Sequence, residues 1–335
     1  MSKALVVGAS GQLGHAMAQH LIHIGWQVSA VTRGGRPLHP GLPGKASWLD
    51  GANRPLSALL DETGPVDALF DPTIYTAEQA ETVLASRHRF GTLVAISSAS
   101  VYADAAGNSL ETEDFPDFPA PIREDQPTVS AGTEGYSANK VAMERRLLAS
   151  RHPVSILRPG AIHGLHARHP REWWLIKRAM DRRQAIPVAY GGESRFQTTA
   201  ASGLASLAAL CMQHPGQRVL NVADADAPSV AEIAASLARI LGLSIALAPF
   251  SGPPEEHVGA SPWSTTGPMV LDCAAAQSRG WSAPAFADSV RPYALWLARA
   301  GAAAGADWPG LFPVFATYGH DPFDYQAEDA FLATG

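Results

Sequence analysis

Short apolar runs alternate with stretches of helical periodicity along the first half of the chain. The apolar runs predict buried β-strands at residues 4–7, 27–31, 66–70, 92–96 and 154–157. Between them, apolar residues recur at helical spacing over residues 12–24, 76–87 and 133–150. Strands that are apolar throughout and separated by helices are typical of a parallel sheet covered on both faces. We therefore predict an α/β fold with a Rossmann-like, doubly wound parallel sheet.

The pattern also predicts a smaller C-terminal substrate-binding region. We expect residues 1–160 to form the dinucleotide-binding domain, and residues 198–222 to return to it. Residues 161–197 and 223–335 then form the substrate-binding region. The two parts are therefore interleaved along the chain.

Composition narrows the class of partner. The 335 residues carry a net charge of −6 without a basic block, which argues against nucleic acid. No apolar stretch reaches the roughly 20 residues of a spanning helix, so no membrane partner is expected. The only cysteines, Cys211 and Cys273, suit a reducing compartment, and the cytoplasm is the expected location. We expect a small-molecule substrate, and the pattern leaves a homodimer open.

A glycine-rich turn follows the first predicted strand in the sequence KALVVGASGQLG. Gly8 permits the tight turn, Gly11 lets the backbone approach a pyrophosphate, and Gly14 lets helix and strand pack closely. The helix N-terminus then offers free N–H groups and a partial positive charge to the anion. The predicted cofactor contacts of this turn are Gly8, Ser10, Gly11, Gln12, Leu13 and Gly14.

The end of the second strand indicates which dinucleotide is bound. An acidic residue there would accept hydrogen bonds from the ribose of NAD, whereas an arginine suits a 2′-phosphate. Thr32 and Arg33 occupy the place, with Arg36 nearby and no acidic residue before Asp50. The sequence therefore predicts NADP, with NAD as the less favoured cofactor.

Candidate acid–base chemistry comes from Tyr136 and Lys140, which lie four residues apart in a helical pattern and so share a face. An ammonium near a phenol favours the phenolate and is expected to lower the pKa of Tyr136. Such a tyrosine exchanges a proton with a hydroxyl or a carbonyl. Ser98, at the end of a parallel strand, is expected to orient the same substrate oxygen.

Together these pieces resemble the extended short-chain dehydrogenase/reductase superfamily, of the NAD-dependent epimerase/dehydratase type. The motifs that carry the resemblance are GASGQLG, SSASVY, YSANK, LRPGAIHG and VLNVADADAPSVAEIAASLARILG. The resemblance implies that Ser98, Tyr136 and Lys140 form the catalytic set and that Lys140 also holds the nicotinamide ribose. It further implies that Asp50 lies near the adenine and that Asp71 and Pro159 lie beside the cofactor.

Two departures from that family narrow the chemistry. Ala99 and Ser100 stand where dehydratases carry an Asp-Glu pair, and they can neither expel a hydroxyl nor take a carbon-bound proton. The usual His-Val-Asp-Asp segment is replaced by residues 200–203, which read AASG. The first departure argues against sugar 4,6-dehydration, and the second weakens transfer of a nucleotide-sugar specificity.

Candidate substrate contacts are Tyr102, His163, Trp173 and Arg195. His163, His166 and His169 recur at every third residue, but no thiolates are near, so no metal site is predicted. Trp173 and Trp174, with Arg168 and Arg171, could hold an aromatic or phosphorylated substrate, or form the core and surface of a helix.

Three functions stay open. The favoured one is an NADP(H)-dependent oxidoreductase that transfers a hydride to or from a secondary alcohol or carbonyl by a Ser-Tyr-Lys mechanism. The alternatives are a nucleotide-sugar epimerase with retained NAD(P) and a non-catalytic protein that senses NAD(P). An intact acid–base set argues against the last, because a sensor does not need one.

Overall fold

The computed structural model describes residues 1–34 and 46–334, and every structural statement below refers to these residues. The strands are β1 Lys3–Val7, β2 Gln27–Thr32, β3 Ala46–Asp50, β4 Val66–Asp71, β5 Phe90–Ile96, β6 Val154–Pro159, β7 Ala161–His163, β8 Ile186–Val188, β9 Thr198–Ala200, β10 Arg218–Val222 and β11 Leu247–Pro249. The α-helices are α1 Gln12–His23, α2 Leu56–Thr63, α3 Ala77–Ala85, α4 Tyr136–Ala149, α5 Trp173–Met180, α6 Ala201–Gln213, α7 Val230–Leu241, α8 Ala274–Gln277, α9 Phe286–Ala304, α10 Trp308–Leu311 and α11 Tyr325–Thr334. Short 3₁₀ turns span Arg87–Arg89, Ala99–Val101, Tyr190–Gly192, Gly305–Asp307 and Pro313–Thr317.

A seven-stranded parallel sheet forms the centre of the molecule, in the order β10-β6-β5-β4-β1-β2-β3. The strand order reverses between β1 and β4, as it does in doubly wound folds. The predicted fold class is confirmed. Strands β3 and β10 extend the sheet beyond the five strands that the apolar runs predict.

Each face of the sheet has its own hydrophobic core, because successive side chains on a strand point in opposite directions. On β1, Ala4 and Val6 join the cluster that contains residues of α1 and α6. Leu5 joins the cluster on the other face, with residues of α2, α3 and α4. Side chains of β1 thus pack against helices on both faces of the sheet, which explains why apolar and polar residues do not alternate along this strand.

The predicted helix over residues 133–150 begins later than the periodicity indicates. Helix α4 starts at Tyr136, because Gly135 has a φ of +80° and lies outside the helical region. This places Tyr136 in the first turn of the helix rather than in its interior. The start of α4 is therefore decided by the backbone conformation of one glycine.

The domain boundaries stay a prediction, but the contacts of two segments bear on them. Strand β10 pairs with β6 in the main sheet, and α6 packs against α1. A third hydrophobic cluster contains residues of α5, α7 and α9 together with aromatic residues near the C-terminus. Helix α11 is joined to α5 by the buried pair of Arg178 and Glu328, whose atoms are 2.5 Å apart.

Trp173, a predicted substrate contact, lies in this third cluster and not on a cleft. Its side chain is 2% exposed and packs against Phe312 and Trp308. The prediction treats the tryptophan as a cleft residue, but helix α9 covers it at Gly301. We correct Trp173 to a residue of the C-terminal core.

None of the helices in the described part of the chain combines the length and the apolar character that crossing a bilayer requires.

The contact between Gly301 and Trp173 yields a stability prediction. A Cβ added at Gly301 would lie 2.0 Å from Trp173 Cη2, so Gly301→Ala forces the packed indole to shift. We expect thermal or urea denaturation to show a loss of about 1–3 kcal/mol, the usual cost of overpacking a core. Gly310→Ala is the control, because nothing lies within 4 Å of an added Cβ there. Equal stability of the two variants would contradict this account of the C-terminal core.

Candidate active site

The loops that follow β1 and β4 meet where the strand order reverses, the place at which open α/β sheets bind ligands. Gly8 adopts a φ of +68°, which side chains rarely tolerate, and so makes the sharp turn out of β1. A Cβ on Gly14 would lie 2.2 Å from the carbonyl oxygen of Gly8. Only glycine therefore lets α1 start this close to the strand, with its unpaired N–H groups facing the groove.

A groove of about 710 Å³ runs along this turn. Its lining includes the predicted residues Gly8, Ser10, Gly11, Leu13, Gly14 and Arg33. Thr32 and Gly51 line the end of the groove near Arg33, and Pro72 and Thr73 come from the loop after β4. Among the described residues that line the groove there is no aspartate or glutamate. A chain that brings a helix N-terminus and an arginine to such a groove is suited to a phosphorylated ligand.

Asp50 and Asp71 support the groove without lining it. Asp50 Oδ1 accepts hydrogen bonds from the N–H groups of Ala52 and Gly34, which hold the pKa of that carboxyl below its usual range. Asp71 accepts from the backbone N–H and the hydroxyl of Thr73, while burial raises the pKa of its carboxyl. Both carboxylates thus shape the loops beside the groove. Arg36 lies outside the described residues.

A second pocket, of about 440 Å³, brings Ser98 and Tyr136 together at the carboxyl end of β5. Both side chains line this pocket, and the Ser98 hydroxyl accepts a hydrogen bond from the N–H of Ser100 at 3.1 Å. Gln12 and Pro159, both predicted as cofactor contacts, line this pocket rather than the groove. Since Gln12 follows Gly11 directly, the pocket adjoins the glycine-rich turn. This is where the reacting end of a bound dinucleotide would have to lie.

Lys140 lies behind Tyr136 and is 5% exposed. Its ammonium donates to the carbonyl oxygens of Ile74 and Ile96, each at 2.9 Å, and lies 5.9 Å from the centre of the Tyr136 ring. Burial lowers the pKa of Lys140 to about 8, against the opposing charge of Asp71. The Lys140 ammonium is therefore hydrogen-bonded to two backbone carbonyl groups, one in the loop after β4 and one at the end of β5.

The expected lowering of the Tyr136 pKa is absent from this arrangement. Burial raises the pKa of the phenol, and the hydrogen bond with Ser98 only partly offsets that effect. The reason is that the ammonium of Lys140 is directed at two carbonyl oxygens and is itself discouraged from carrying charge.

Glu111 supplies the acceptor that α4 lacks at its N-terminus. The residue before the helix, Gly135, has no side chain to cap it. Glu111 instead accepts from the N–H of Ser137 at 2.7 Å and from the N–H of Tyr136 at 3.1 Å, and the Ser137 hydroxyl bonds to it as well. A carboxylate there also complements the helix dipole. Glu111 thereby positions the turn that carries Tyr136.

Three other predicted substrate contacts do not line the pocket of Tyr136. Tyr102 is fully buried, and its hydroxyl donates to Asn221 at 2.6 Å. Arg195 pairs with Glu232 at 2.9 Å and lines a separate pocket. Tyr102 is therefore corrected to a buried structural residue, whereas Arg195 stays a prediction.

His163 is likewise 1% exposed, with its Nε2 atom 2.8 Å from Asp224. Burial opposes protonation, but the hydrogen bond with Asp224 raises the pKa of the imidazole. His163 lines a third cavity, of about 260 Å³, between α1 and α9. His163 does not line the pocket of Ser98 and Tyr136. We correct it to a buried residue that is hydrogen-bonded to Asp224.

The pocket of Ser98 and Tyr136 is also lined by His169 and Arg171, which the sequence did not assign to catalysis. Burial lowers the pKa of His169 to about 4, and its ring bonds to the Tyr318 hydroxyl. Arg171 makes no ion pair within the described residues. Nothing in their local spacing predicts this placement. Glu111 did leave a signal, since a helix that begins after Gly135 must take its cap from elsewhere.

Comparison with known proteins identifies the fold. No protein-family model matches the sequence, and no curated protein does so either. Among solved structures, the chain resembles MoeE5 in complex with UDP-glucose and NAD, at 22% identity and a TM-score of 0.64, with 89% of this chain and 99% of that chain covered. UDP-glucuronic acid 4-epimerase from Bacillus cereus, in complex with UDP-glucuronic acid and NAD, shares 18% identity at a TM-score of 0.64 over 89% and 99% of the two chains.

dTDP-glucose 4,6-dehydratase from Bacillus anthracis, in complex with NAD, shares 14% identity at a TM-score of 0.63 over 90% and 98%. At these identities the likeness establishes a shared fold. The chain thus has the same Rossmann-like fold as those proteins, over nearly their full length.

The cap formed by Glu111 yields a prediction about catalysis. Glu111→Ala removes the acceptor for two N–H groups, so we expect a loss of about 1 kcal/mol in stability, as for other N-caps. Because the freed turn carries Tyr136, turnover should fall while dinucleotide affinity stays unchanged. Denaturation, cofactor titration and steady-state kinetics measure these effects. Glu113→Ala is the matched control, because Glu113 is exposed in the same loop and is not hydrogen-bonded to α4 within the described residues. Identical kinetics for both variants would contradict the positioning role.

Proposed function

We propose that this chain is an NAD(P)-dependent enzyme of the short-chain dehydrogenase/reductase type that oxidises and re-reduces one secondary alcohol of a sugar-nucleotide-like substrate. The observation that carries the proposal is that Ser98 and Tyr136 line one pocket, which adjoins a groove suited to a phosphorylated ligand. The likeness to structures that hold UDP-sugars and NAD supports the cofactor-retaining reading over net redox chemistry.

The residues of the pocket define the proton chemistry. In the oxidation step the phenolate form of Tyr136 accepts the proton of the substrate hydroxyl, and in the reduction step the resulting phenol returns a proton to the carbonyl oxygen. Ser98, which lines the same pocket, orients the substrate oxygen. A bound nicotinamide cofactor supplies the acceptor for the hydrogen and electron pair that leave the carbinol carbon, and returns them in the reverse step.

The groove and Lys140 fit the cofactor. Gly8, Gly11 and Gly14 form the turn beneath its pyrophosphate, and the first N–H groups of α1 face that anion. Lys140, whose ammonium bonds to the carbonyl oxygens of Ile74 and Ile96, fixes the loops on either side of the reacting centre. In this proposal Lys140 also holds the nicotinamide ribose.

Arg171 supports an anionic substrate. It is half-buried in the pocket of Tyr136, and within the described residues no carboxylate pairs with it. Glu111 is the carboxylate among the residues lining the pocket, and it bonds to the N-terminus of α4. A guanidinium in such surroundings matches a phosphate or carboxylate group of the substrate.

Net reduction of a carbonyl compound is the second candidate function. It is favoured by residues 200–203, which read AASG where the family that the sequence resembles carries His-Val-Asp-Asp. In that case the cofactor is released in each cycle. A single experiment separates the two candidates, because it follows the cofactor as well as the substrate.

We predict that purified protein retains nicotinamide cofactor and interconverts UDP-glucuronic acid or UDP-glucose with its 4-epimer. Denaturation should release about one cofactor per chain, and turnover should leave the nicotinamide absorbance unchanged. Tyr136→Phe should lower the rate roughly 100-fold or more while cofactor stays bound, because only the proton is removed. Tyr190→Phe, outside this pocket, is the control. Net absorbance change during turnover would favour reduction, and normal turnover by Tyr136→Phe would refute the catalytic assignment.

We further propose NADP as the cofactor, on the evidence of Arg33 at the end of the groove beside Thr32 and Gly51. The similar structures hold NAD, so both cofactors need to be titrated. We expect tighter binding of NADP, and Arg33→Ala should narrow the difference by about 1–3 kcal/mol, as for a lost charge-assisted hydrogen bond. Equal affinities in the unaltered protein, or tighter NAD binding, would overturn this preference.

A further inference from the structure

The dinucleotide groove has a second wall, which comes from outside the first β-α units. One wall consists of the turn after β1 and the ends of β2, β3 and β4. The lining also includes residues that no cofactor motif predicts, from the segment between β7 and α5 and from the helices near the C-terminus: His166, Ala167, Arg168, Trp296 and Leu311. We call these five residues the second wall.

The second wall is attached to α1 rather than lying loosely over it. The His166 ring packs edge-on against His15 of α1, with ring centres 4.5 Å apart, and against Trp296 of α9 at 5.6 Å. Just before it, the Gly164 carbonyl oxygen accepts a hydrogen bond from the Gln12 side chain at 3.4 Å. The backbone at His166 has a φ of +66°, a conformation that side chains rarely adopt. Packing on both sides therefore holds the segment in a specific turn.

Arg168 follows this turn in the sequence and lines the groove. Its guanidinium is unpaired within the described residues. Ala167 beside it is buried, whereas Arg168 is exposed and makes no hydrogen bond or ion pair within the described residues. The groove lining holds a second guanidinium, Arg33, and among the described residues that line the groove none is acidic. Two arginines and a helix N-terminus therefore line one cavity, while the nearby carboxylates of Asp50 and Asp71 are hydrogen-bonded to the adjoining loops. An anionic occupant is the electrostatic complement of such a cavity.

We propose that Arg168 binds a phosphate group of the dinucleotide from the second wall and so holds the cofactor in the groove. The inference rests on the proposed function, because it takes the groove to be the cofactor site. It adds that cofactor retention depends on a residue outside the dinucleotide-binding motif. A ligand held between two walls leaves slowly, since contacts on both sides must break before it dissociates.

The phosphate that Arg168 binds has two sources, the pyrophosphate common to NAD and NADP and the 2′-phosphate of NADP alone. Titrating each variant with both cofactors separates them. If Arg168→Ala weakens NAD and NADP by the same factor, the contact is to the pyrophosphate. If it weakens NADP only, as expected for Arg33→Ala, the contact is to the 2′-phosphate. Either result supports the proposal.

The experiment measures cofactor affinity and the release rate in a chase with excess unlabelled cofactor. For Arg168→Ala we expect at least about a tenfold rise in Kd, equal to about 1.4 kcal/mol, carried mainly by faster release. Arg168→Lys should recover part of the affinity, because it keeps the charge but not the bidentate geometry. Arg299→Ala is the matched control, since Arg299 is exposed on α9 and does not line the groove.

Two results overturn the inference, and they differ in what they say about the function. If Arg168→Ala releases both cofactors at the rate of Arg299→Ala, the inference is wrong while the proposed function stands, provided that Tyr136→Phe loses activity. If the unaltered protein binds neither cofactor, the inference and the proposed function are both wrong.

Discussion

The site depends on one steric constraint, the contact between Gly14 and the carbonyl oxygen of Gly8. A single methyl group at Gly14 would lie 2.2 Å from that oxygen, so any other residue would push α1 away from β1. With glycine, the helix begins against the strand, and its N-terminus reaches the groove between the two halves of the sheet. The groove, the pocket of Tyr136 and the wall that Arg168 belongs to are all arranged around this start of α1.

Tyr136 is held in position by the contacts of two other residues, Lys140 and Glu111. Lys140 is fixed by the carbonyl oxygens of Ile74 and Ile96, which follow β4 and end β5, and so it ties α4 to two neighbouring strands. Glu111 holds the opposite end of the first turn of α4 through backbone N–H groups. Tyr136 lies between these two attachments. Its oxygen is therefore placed by the sheet and by a loop, rather than by the helix alone.

The C-terminal region contributes differently from the way its composition indicates. Its tryptophan-rich helix α5 suggests a site for an aromatic substrate, yet Trp173 fills a core against Phe312 and the glycine at 301. The polar residues of the preceding segment face outward instead, with Arg168 at the groove and Arg171 at the pocket. One short segment thus contributes a cation to each of the two cavities. This arrangement connects the region that would bind substrate with the cofactor.

The local sequence pattern was enough to predict the features that depend on residues close together in the sequence. The apolar strands, the glycine turn at Gly8 and the spacing of Tyr136 and Lys140 were predictable, because each rests on contacts within one β-α unit or one helical turn. Tertiary structure alone decided the rest. Tyr102 was drawn into a hydrogen bond with Asn221, 119 residues away, and the Lys140 ammonium was directed at two carbonyl oxygens instead of the phenol. Glu111 and Arg168 reach the site across long separations in sequence. Such placements follow from which surfaces pack together, and no local spacing encodes them.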